Sequence, residues 1–374
     1  MKFVLSTQEL NYLINKIQNI IPPKATIPIL SNFLIEAINN EIILTATDLT
    51  VGIRCDLEAK IIEEGSTTIP AKRFSQLVRE LTAANVEVSS SEKEITTIIS
   101  GTSRFKLNGM SKNEYPALPD MSQASSFAIK QSDLRDMFSR TSFAVSKEDN
   151  RYVLTGVFMQ IADGIALFAG TDGKRLARSQ CPIKADDGFT FQAIIPLKAV
   201  DEIVKSLLDE GDAKISVLHD KISIQVNDTL IQTKLLSGEY PDINRVIPER
   251  SEIFVTLHRD ELMTLLRQIV LFTPNNEHSV RFTFTNGELR LNANSKEIGE
   301  GQVSMPVNYE GSSFEIAFNP GFFIDILRHC KNETVVFGLT DSFNPGVITD
   351  GEKYDMSCDA PYLFVIMPMR IAEE

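Results

Sequence analysis

The chain has 374 residues, 43% of them apolar and 23% charged. That excludes the disordered class and, with no apolar run near the ~20 residues that cross a bilayer, the helical membrane class; the length fits two or three domains. Its 50 Asp and Glu against 37 Lys and Arg give a formal charge of −13, a total that argues against a polyanionic partner.

Phe3-Val4-Leu5 reads as a strand, followed by a helix whose apolar face is Leu10, Leu13, Ile14 and Ile17. A strand at 42–45 leads into Ala46-Thr47-Asp48-Leu49, and a second helix follows Pro70, with Phe74, Leu77, Val78 and Leu81 inward. Strands at 86–89 and 95–99 precede Glu114-Tyr115-Pro116. The same order then begins again. Phe127-Ala128-Ile129 and Leu134, Met137, Phe138 and Thr141 lie 124 residues on, and at that offset Gly170-Thr171-Asp172-Gly173 matches the segment around Asp48. Pro196 opens a helix with Val200, Ile203, Val204 and Leu207, strands follow at 215–217 and 222–226, and Glu239-Tyr240-Pro241 closes the unit. A third round starts at Val255-Thr256-Leu257 with Leu262, Leu265, Leu266 and Ile269, has strands at 280–284 and 289–292, and places Phe323, Ile326, Leu327 and Cys330 after Pro320. Two helices and several hairpin-linked strands per round predict three α+β domains with antiparallel sheets and helices on one face. Polar, proline-interrupted stretches set them at 1–125, 126–250 and 251–374, each a duplicated strand, helix and strands unit.

One helical position recurs as basic. Roughly 150° from the apolar centre the second helices carry Arg79, Lys205 and Arg328, while the first helices, one position later in their own count, carry Lys16, Arg140 and Gln268. Glu9, Asp133, Asp201, Asp260 and Glu261 lie mostly in first turns, where they suit the helix dipole. The bases read either as a solvated, dipole-matched face or as a positive surface for phosphate contacts. Threefold recurrence favours the second.

Little else carries chemistry. Cys55, Cys181, Cys330 and Cys358 stand singly, and His219, His258, His278 and His329 are far apart in sequence, so neither a metal site nor a base is expected from them. Sparse thiols, with Met1-Lys2-Phe3 running straight into a strand pattern, predict a reducing cytoplasm. No phosphate-cradling glycine loop, nucleophile elbow or H-E-x-x-H stands in the chain. Asp48 and Asp172 read either as a pair of metal-binding carboxylates in a nucleic-acid enzyme or as the acceptors of two Asx turns.

Thr171-Asp172-Gly173-Lys174-Arg175-Leu176-Ala177, Gly238-Glu239-Tyr240-Pro241-Asp242 and Met367-Pro368-Met369-Arg370 together resemble the bacterial DNA polymerase III beta subunit family, the replicative sliding clamps. Met1-Lys2-Phe3, Pro28-Ile29-Leu30, Ala46-Thr47-Asp48-Leu49 and Arg151-Tyr152 before Leu154 extend the resemblance over the whole chain. It implies a DNA-clamp fold in which two chains join head to tail around duplex DNA, with helices lining the hole and antiparallel sheets outside. It implies a non-catalytic, cofactor-free and metal-free processivity subunit of DNA polymerase III holoenzyme in the cytoplasm, with no membrane partner. DNA would then face Lys16, Lys24, Arg79, Arg140, Arg151, Tyr152, Lys205 and Arg328.

The resemblance also implies an apolar cleft between the second and third domains that takes short linear motifs. Its residues here are Leu154, Thr171, Gly173, Lys174, Arg175, Leu176, Pro241, Arg245, Val246, Phe343, Pro345, Val365, Ile366, Met367, Pro368, Met369 and Arg370. Aliphatic and methionine side chains adapt to many partners in turn, in this family the polymerase III catalytic subunit, the clamp loader, other clamp-binding polymerases, ligase and mismatch-repair proteins. Lys174 stands where the family's pattern has histidine. Ile371-Ala372-Glu373-Glu374 is expected to be mobile. Head-to-tail contact would set Glu297 and Glu300 against Arg73 and Arg104, and Phe105 and Leu107 against Leu271 and Phe272. Charge fits that polarity, since residues 1–125 and 126–250 each carry −2 and residues 251–374 carry −9. A peptide-binding scaffold unrelated to DNA is the remaining alternative.

Overall fold

The computed structural model describes residues 1–91, 93–186, 188–274, 278–351 and 360–370, without the side chain of Asp149. Two compact units emerge: Met1–Leu134 with Lys198–Leu235, and Arg135–Leu197 with Leu236–Glu374. They do not follow the three rounds of sequence, because sheets pass from one round to the next.

In the first unit, helices α1 (Thr7–Ile17) and α2 (Ala71–Arg79) pack together beside two antiparallel sheets. The five-stranded sheet runs Lys60–Glu63, Lys2–Ser6, Asn85–Ser90, Ile95–Ser100, Ser103–Asn108. The eight-stranded sheet runs Ser125–Lys130, Asp212–Leu218, Lys221–Val226, Thr229–Lys234, Val51–Glu58, Glu41–Thr47, Asn32–Ile38, Gly65–Pro70. Thr229 pairs with Cys55 and Thr233 with Val51, so a second-round strand continues a first-round sheet. Ser6 starts α1 through a reciprocal capping box with Glu9, which satisfies two backbone donors at once.

The second unit repeats the arrangement. Its eight-stranded sheet runs Phe191–Pro196, Gly156–Ala162, Ile165–Thr171, Arg175–Pro182, Tyr362–Ile366, Gly346–Asp350, Thr334–Leu339, Ile253–His258. Tyr362 pairs with Ser179 and Ile366 with Arg175, the same join one round later. A four-stranded sheet runs Gly299–Pro306, Glu288–Ser295, Val280–Thr285, Phe314–Phe318. Helices α3 (Gln131–Ser142) and α4 (Leu197–Ser206) straddle the unit borders; α5 (Arg259–Ile269) and α6 (Pro320–His329) pack together in the second unit. Their core is aromatic, with Phe318 and Phe323 in ring contact with each other and each with both Phe282 and Phe337, at 5.0–5.6 Å.

The buried thiols behave as small hydrophobes. Burial pushes Cys55 up to about 11 and Cys330 to about 12, so neither is a thiolate near neutrality. Cys181 is half-buried; Cys358 lies outside the described residues, as do Ile371-Ala372-Glu373-Glu374. Among the described residues no helix is long and apolar enough to cross a membrane.

Candidate functional site

The site begins at a turn that the chain makes twice. Asp172 Oδ1 accepts the N–H groups of Lys174 and Arg175, Gly173 N–H donates to Thr171 Oγ1, and that hydroxyl donates to the Arg175 carbonyl. In the first unit Asp48 accepts from Thr50 and Val51, with Thr47 in the role of Thr171. Both are Asx turns, and both carboxylates are engaged: Asp48 also accepts from Lys198 and Asp172 from Arg175 Nε. The Asx-turn reading accounts for the repeated Thr-Asp; a pair of free metal-binding carboxylates does not.

Gly173 has φ +83, and a Cβ there would stand 2.3 Å from Arg151 Nη1. That guanidinium donates to the Asp172 carbonyl at 2.8 Å. Glycine is favoured here by its left-handed backbone, and any side chain would also have to displace the mobile end of Arg151. Arg151, expected to face DNA, is thus brought to the turn of the candidate cleft.

Two layers of the expected cleft separate by burial. Leu154, Leu176 and Val365 share one apolar cluster with Tyr240, Ile243 and Val347, and Ile366 is fully buried. These form a floor. Of the other expected residues, Phe343 is 88% exposed, Val246 44% and Met367 40%, with Lys174, Gly173, Pro241, Arg245 and Arg370 also exposed and Thr171, Pro345, Pro368 and Met369 half-buried. Phe343 is held there: Asp341 accepts the N–H groups of Phe343 and Asn344, which keep its carboxyl below the usual range. The Met367 N–H donates to the Lys174 carbonyl and the Met369 N–H to Ala317, tying the terminal strand to both sides of the site.

Arg175 is a correction to the expectation of a partner contact. Its side chain is 7% exposed, bonded to Asp325 at 2.8 Å and to the Phe143 carbonyl, and placed against the Phe322 and Phe143 rings. It anchors the turn to α6 instead of offering charge to a ligand. Sequence reasoning leaves Tyr240 out of the site, yet its ring stacks on Phe158 at 4.8 Å in the same apolar cluster as Leu154, Leu176 and Val365, and burial raises its phenol above the ordinary value. The recurring Glu-Tyr-Pro was the signal: Tyr115, its counterpart, donates to the carbonyls of Asn32 and Thr45 in the first unit.

The basic positions divide likewise. Arg79, Lys205, Arg328, Lys24 and Tyr152 are exposed, and the first three bond to Gln18, Glu202 and Asp325 respectively. Arg140 does not face outward. It is 3% exposed and lies 2.7 Å from Asp350, over the Tyr362 ring, because second-unit strands cover that side of α3. Lys16 is half-buried and bonded to Asp228 at 2.6 Å. Burial works against its charge, but the Asp228 bond prevails and raises its pKa.

The residues expected between copies lie at two open sheet edges. Arg104, Phe105 and Leu107 stand on Ser103–Asn108, an edge strand with little burial, and Arg73 is exposed on α2. Glu300 stands on Gly299–Pro306, also an edge, with Glu297 exposed just before it. Leu271 is 71% and Phe272 36% exposed, and Phe272 packs where a side chain at Gly301 would otherwise sit.

An α+β repeat whose sheets pass from one round to the next, with the same Asx turn made once in each unit, is the DNA-clamp fold. Family models for the N-terminal, central and C-terminal domains of the DNA polymerase III beta subunit match residues 1–119, 128–242 and 244–370, and the chain belongs to that family. It is 52% identical to the beta sliding clamp of Chlamydia pneumoniae over 374 residues, 100% of both chains. The crystal structure of the DNA polymerase III subunit beta from Pseudomonas aeruginosa is similar at TM-score 0.94 and 27% identity, covering 99% of this chain and 100% of that one. A sliding clamp from Bartonella birtlesii bound to griselimycin is similar at TM-score 0.92 and 28% identity, with 99% and 100% covered.

Proposed function

We propose that two copies of this chain close head to tail into a ring around duplex DNA and hold DNA polymerase III to its template without catalysing any step. The observation that carries this is a pairing rule. Val51–Glu58, Arg175–Pro182 and Gly299–Pro306 begin 124 residues apart in succession. The first two receive strands from the following round, Thr229–Lys234 and Tyr362–Ile366. The third has an open edge, and so does Ser103–Asn108, the first-round counterpart of those added strands. Unpaired N–H and C=O rows on an exposed edge ask for a partner strand. Transferring the observed register sets Phe105 opposite Gly301, where Phe272 already packs, and Lys106 opposite Glu300, with Arg104 diagonal to it. Two such contacts related by a two-fold axis close the ring and leave neither edge free.

In this reading the three domains are 1–125, 126–250 and 251–374, the chain works in the cytoplasm, and Lys24, Arg79, Tyr152, Lys205 and Arg328 meet phosphates without reading sequence. The negative third domain repels DNA from surfaces that do not hold it. Retention is then topological: protein loaded on nicked circular DNA should stay through a salt wash and run off once the circle is cut. Equal retention on circular and linear DNA would remove the ring.

The exposed patch of Phe343, Val246 and Met367 takes the apolar motifs of the polymerase, the clamp loader and the other clamp-binding polymerases, ligase and mismatch-repair proteins. Truncating two such anchors costs on the order of 2 kcal/mol each. Phe343→Ser with Met367→Ser is therefore expected to weaken a fluorescent clamp-binding peptide at least 100-fold in anisotropy titrations while ring assembly persists. Undiminished peptide affinity would place the site elsewhere.

A further inference from the structure

In each unit the base near the end of a round's first helix is tied to the hairpin of the round that follows. Lys16 on α1 bonds Asp228 at 2.6 Å and Thr229 Oγ1 at 2.9 Å, while the Tyr12 hydroxyl donates to the same carboxylate at 3.3 Å. Arg140 on α3, 124 positions later, bonds Asp350 at 2.7 Å, with both side chains at most 3% exposed. Asp350 also accepts the N–H groups of Lys331 and Asn332. The two acids come from the same end of equivalent hairpins, Asp228 just before Thr229–Lys234 and Asp350 at the end of the strand preceding Tyr362–Ile366. Aromatic rings back both bases, Tyr12 at 4.4 Å from Lys16 and Tyr362 at 3.5 Å from Arg140.

The third helix of the series breaks the pattern. At the matching position α5 carries Gln268, exposed and uncharged. The hairpin that would meet it lies in the second copy, Ile95–Ser100 and Ser103–Asn108, which turns through Gly101 and Thr102. At the matching positions, Gln268 and the Gly101-Thr102 turn, neither side supplies a charge, so the Lys106 and Arg104 contacts with Glu300 on the exposed strands are the charged contacts left to this junction, and Ser103 stands where Tyr362 does in the second unit.

We propose that the base–acid pair is a latch that fixes the two junctions within the chain, and that its omission between copies makes that junction the one that opens. This rests on the head-to-tail reading above. The Arg140–Asp350 pair, sealed from water, resists separation because parting leaves charges in a low-dielectric setting, and the half-buried Lys16–Asp228 pair does so more weakly; such pairs act mainly on dissociation rates. A junction joined through Gln268 and Thr102 has no such barrier.

The test is to install the latch. Full-length Gln268→Arg, Thr102→Asp and the double variant are compared by subunit exchange between rings carrying donor and acceptor dyes. Each single change is expected to speed exchange, since it leaves one charge unpaired, whereas the double variant should exchange on the order of tenfold more slowly than the two single effects combine to give. Thermal melts check that each variant folds, and Gln268→Lys with Thr102→Glu serves if the first double variant does not. Simple combination of the single effects in a folded double variant overturns the latch while leaving the ring intact. A parent chain that sediments as a monomer at every concentration overturns the ring reading and the latch with it.

Discussion

Asp350→Ala is expected to destabilise the protein by about 3–5 kcal/mol, the cost of leaving a buried guanidinium without its counter-charge. Arg140 is 3% exposed and has no route to water that keeps its place over the Tyr362 ring. The same change removes the acceptor for the Lys331 and Asn332 N–H groups. Arg140→Met with Asp350→Leu should recover the part of the loss that comes from the unpaired guanidinium, because apolar side chains of similar volume often replace a buried pair at little cost, but not the part that comes from the Lys331 and Asn332 N–H groups, which leucine cannot accept. The pH dependence has a definite sign. Burial pushes the Asp350 carboxyl up, but the two backbone N–H groups and Arg140 outweigh it and hold it below the usual carboxylate range. Its contribution is therefore complete above the unfolded value of about 4 and fades as pH falls through the lower folded value. Urea midpoints for parent and Asp350→Ala should differ by a constant amount from pH 5 to 8 and converge only in strong acid. A gap that shrank toward neutral pH would mean that Asp350 is not the charged partner.

Arg140 also marks what the sequence leaves unread. Helical periodicity reports a side chain's direction about its own helix axis, and by that measure Arg140 points away from the core of its round. It does not report that a strand more than 200 residues later covers that side. The shared sheets escape notice for a related reason. Arg175–Pro182 carries Arg175 and Arg178 in the middle of an eight-stranded sheet, both under 10% exposed, so its pattern lacks the apolar alternation by which a strand is recognised. Local chemistry was more legible. The Asx turns at Asp48 and Asp172 follow from the preference of Asp for its own backbone two and three residues on, and the helices follow from their apolar spacing. The cleft residues came by family resemblance, but resemblance did not distinguish the buried Arg175, Val365 and Ile366 from the exposed Phe343 and Met367. Arg151 illustrates the same limit: only the space above Gly173 shows why that arginine and that glycine belong together.

Leu271→Ala with Phe272→Ala is expected to turn the dimer into monomers. Leu271, 71% exposed in one copy, has little to lose in the folding of its own chain, so its removal should spare stability and fall on assembly. Phe272 packs against Ile269 and the backbone at Gly301, the residue that the transferred register places opposite Phe105, so its loss takes the apolar centre from the join. Burying a leucine or phenylalanine contributes about 1.5–3 kcal/mol each, and a two-fold ring makes the contact twice. Association should therefore weaken by several orders of magnitude, enough to give monomers at micromolar concentration in sedimentation equilibrium. Leu271→Ala alone should give an intermediate dissociation constant with an unchanged melting temperature, which separates loss of contact from loss of fold. The monomer should still bind a clamp-binding peptide, because the residues of that patch lie within the second unit, yet it should no longer remain on circular DNA. A double variant that stayed dimeric at nanomolar concentration would move the interface away from the open edges at Ser103–Asn108 and Gly299–Pro306.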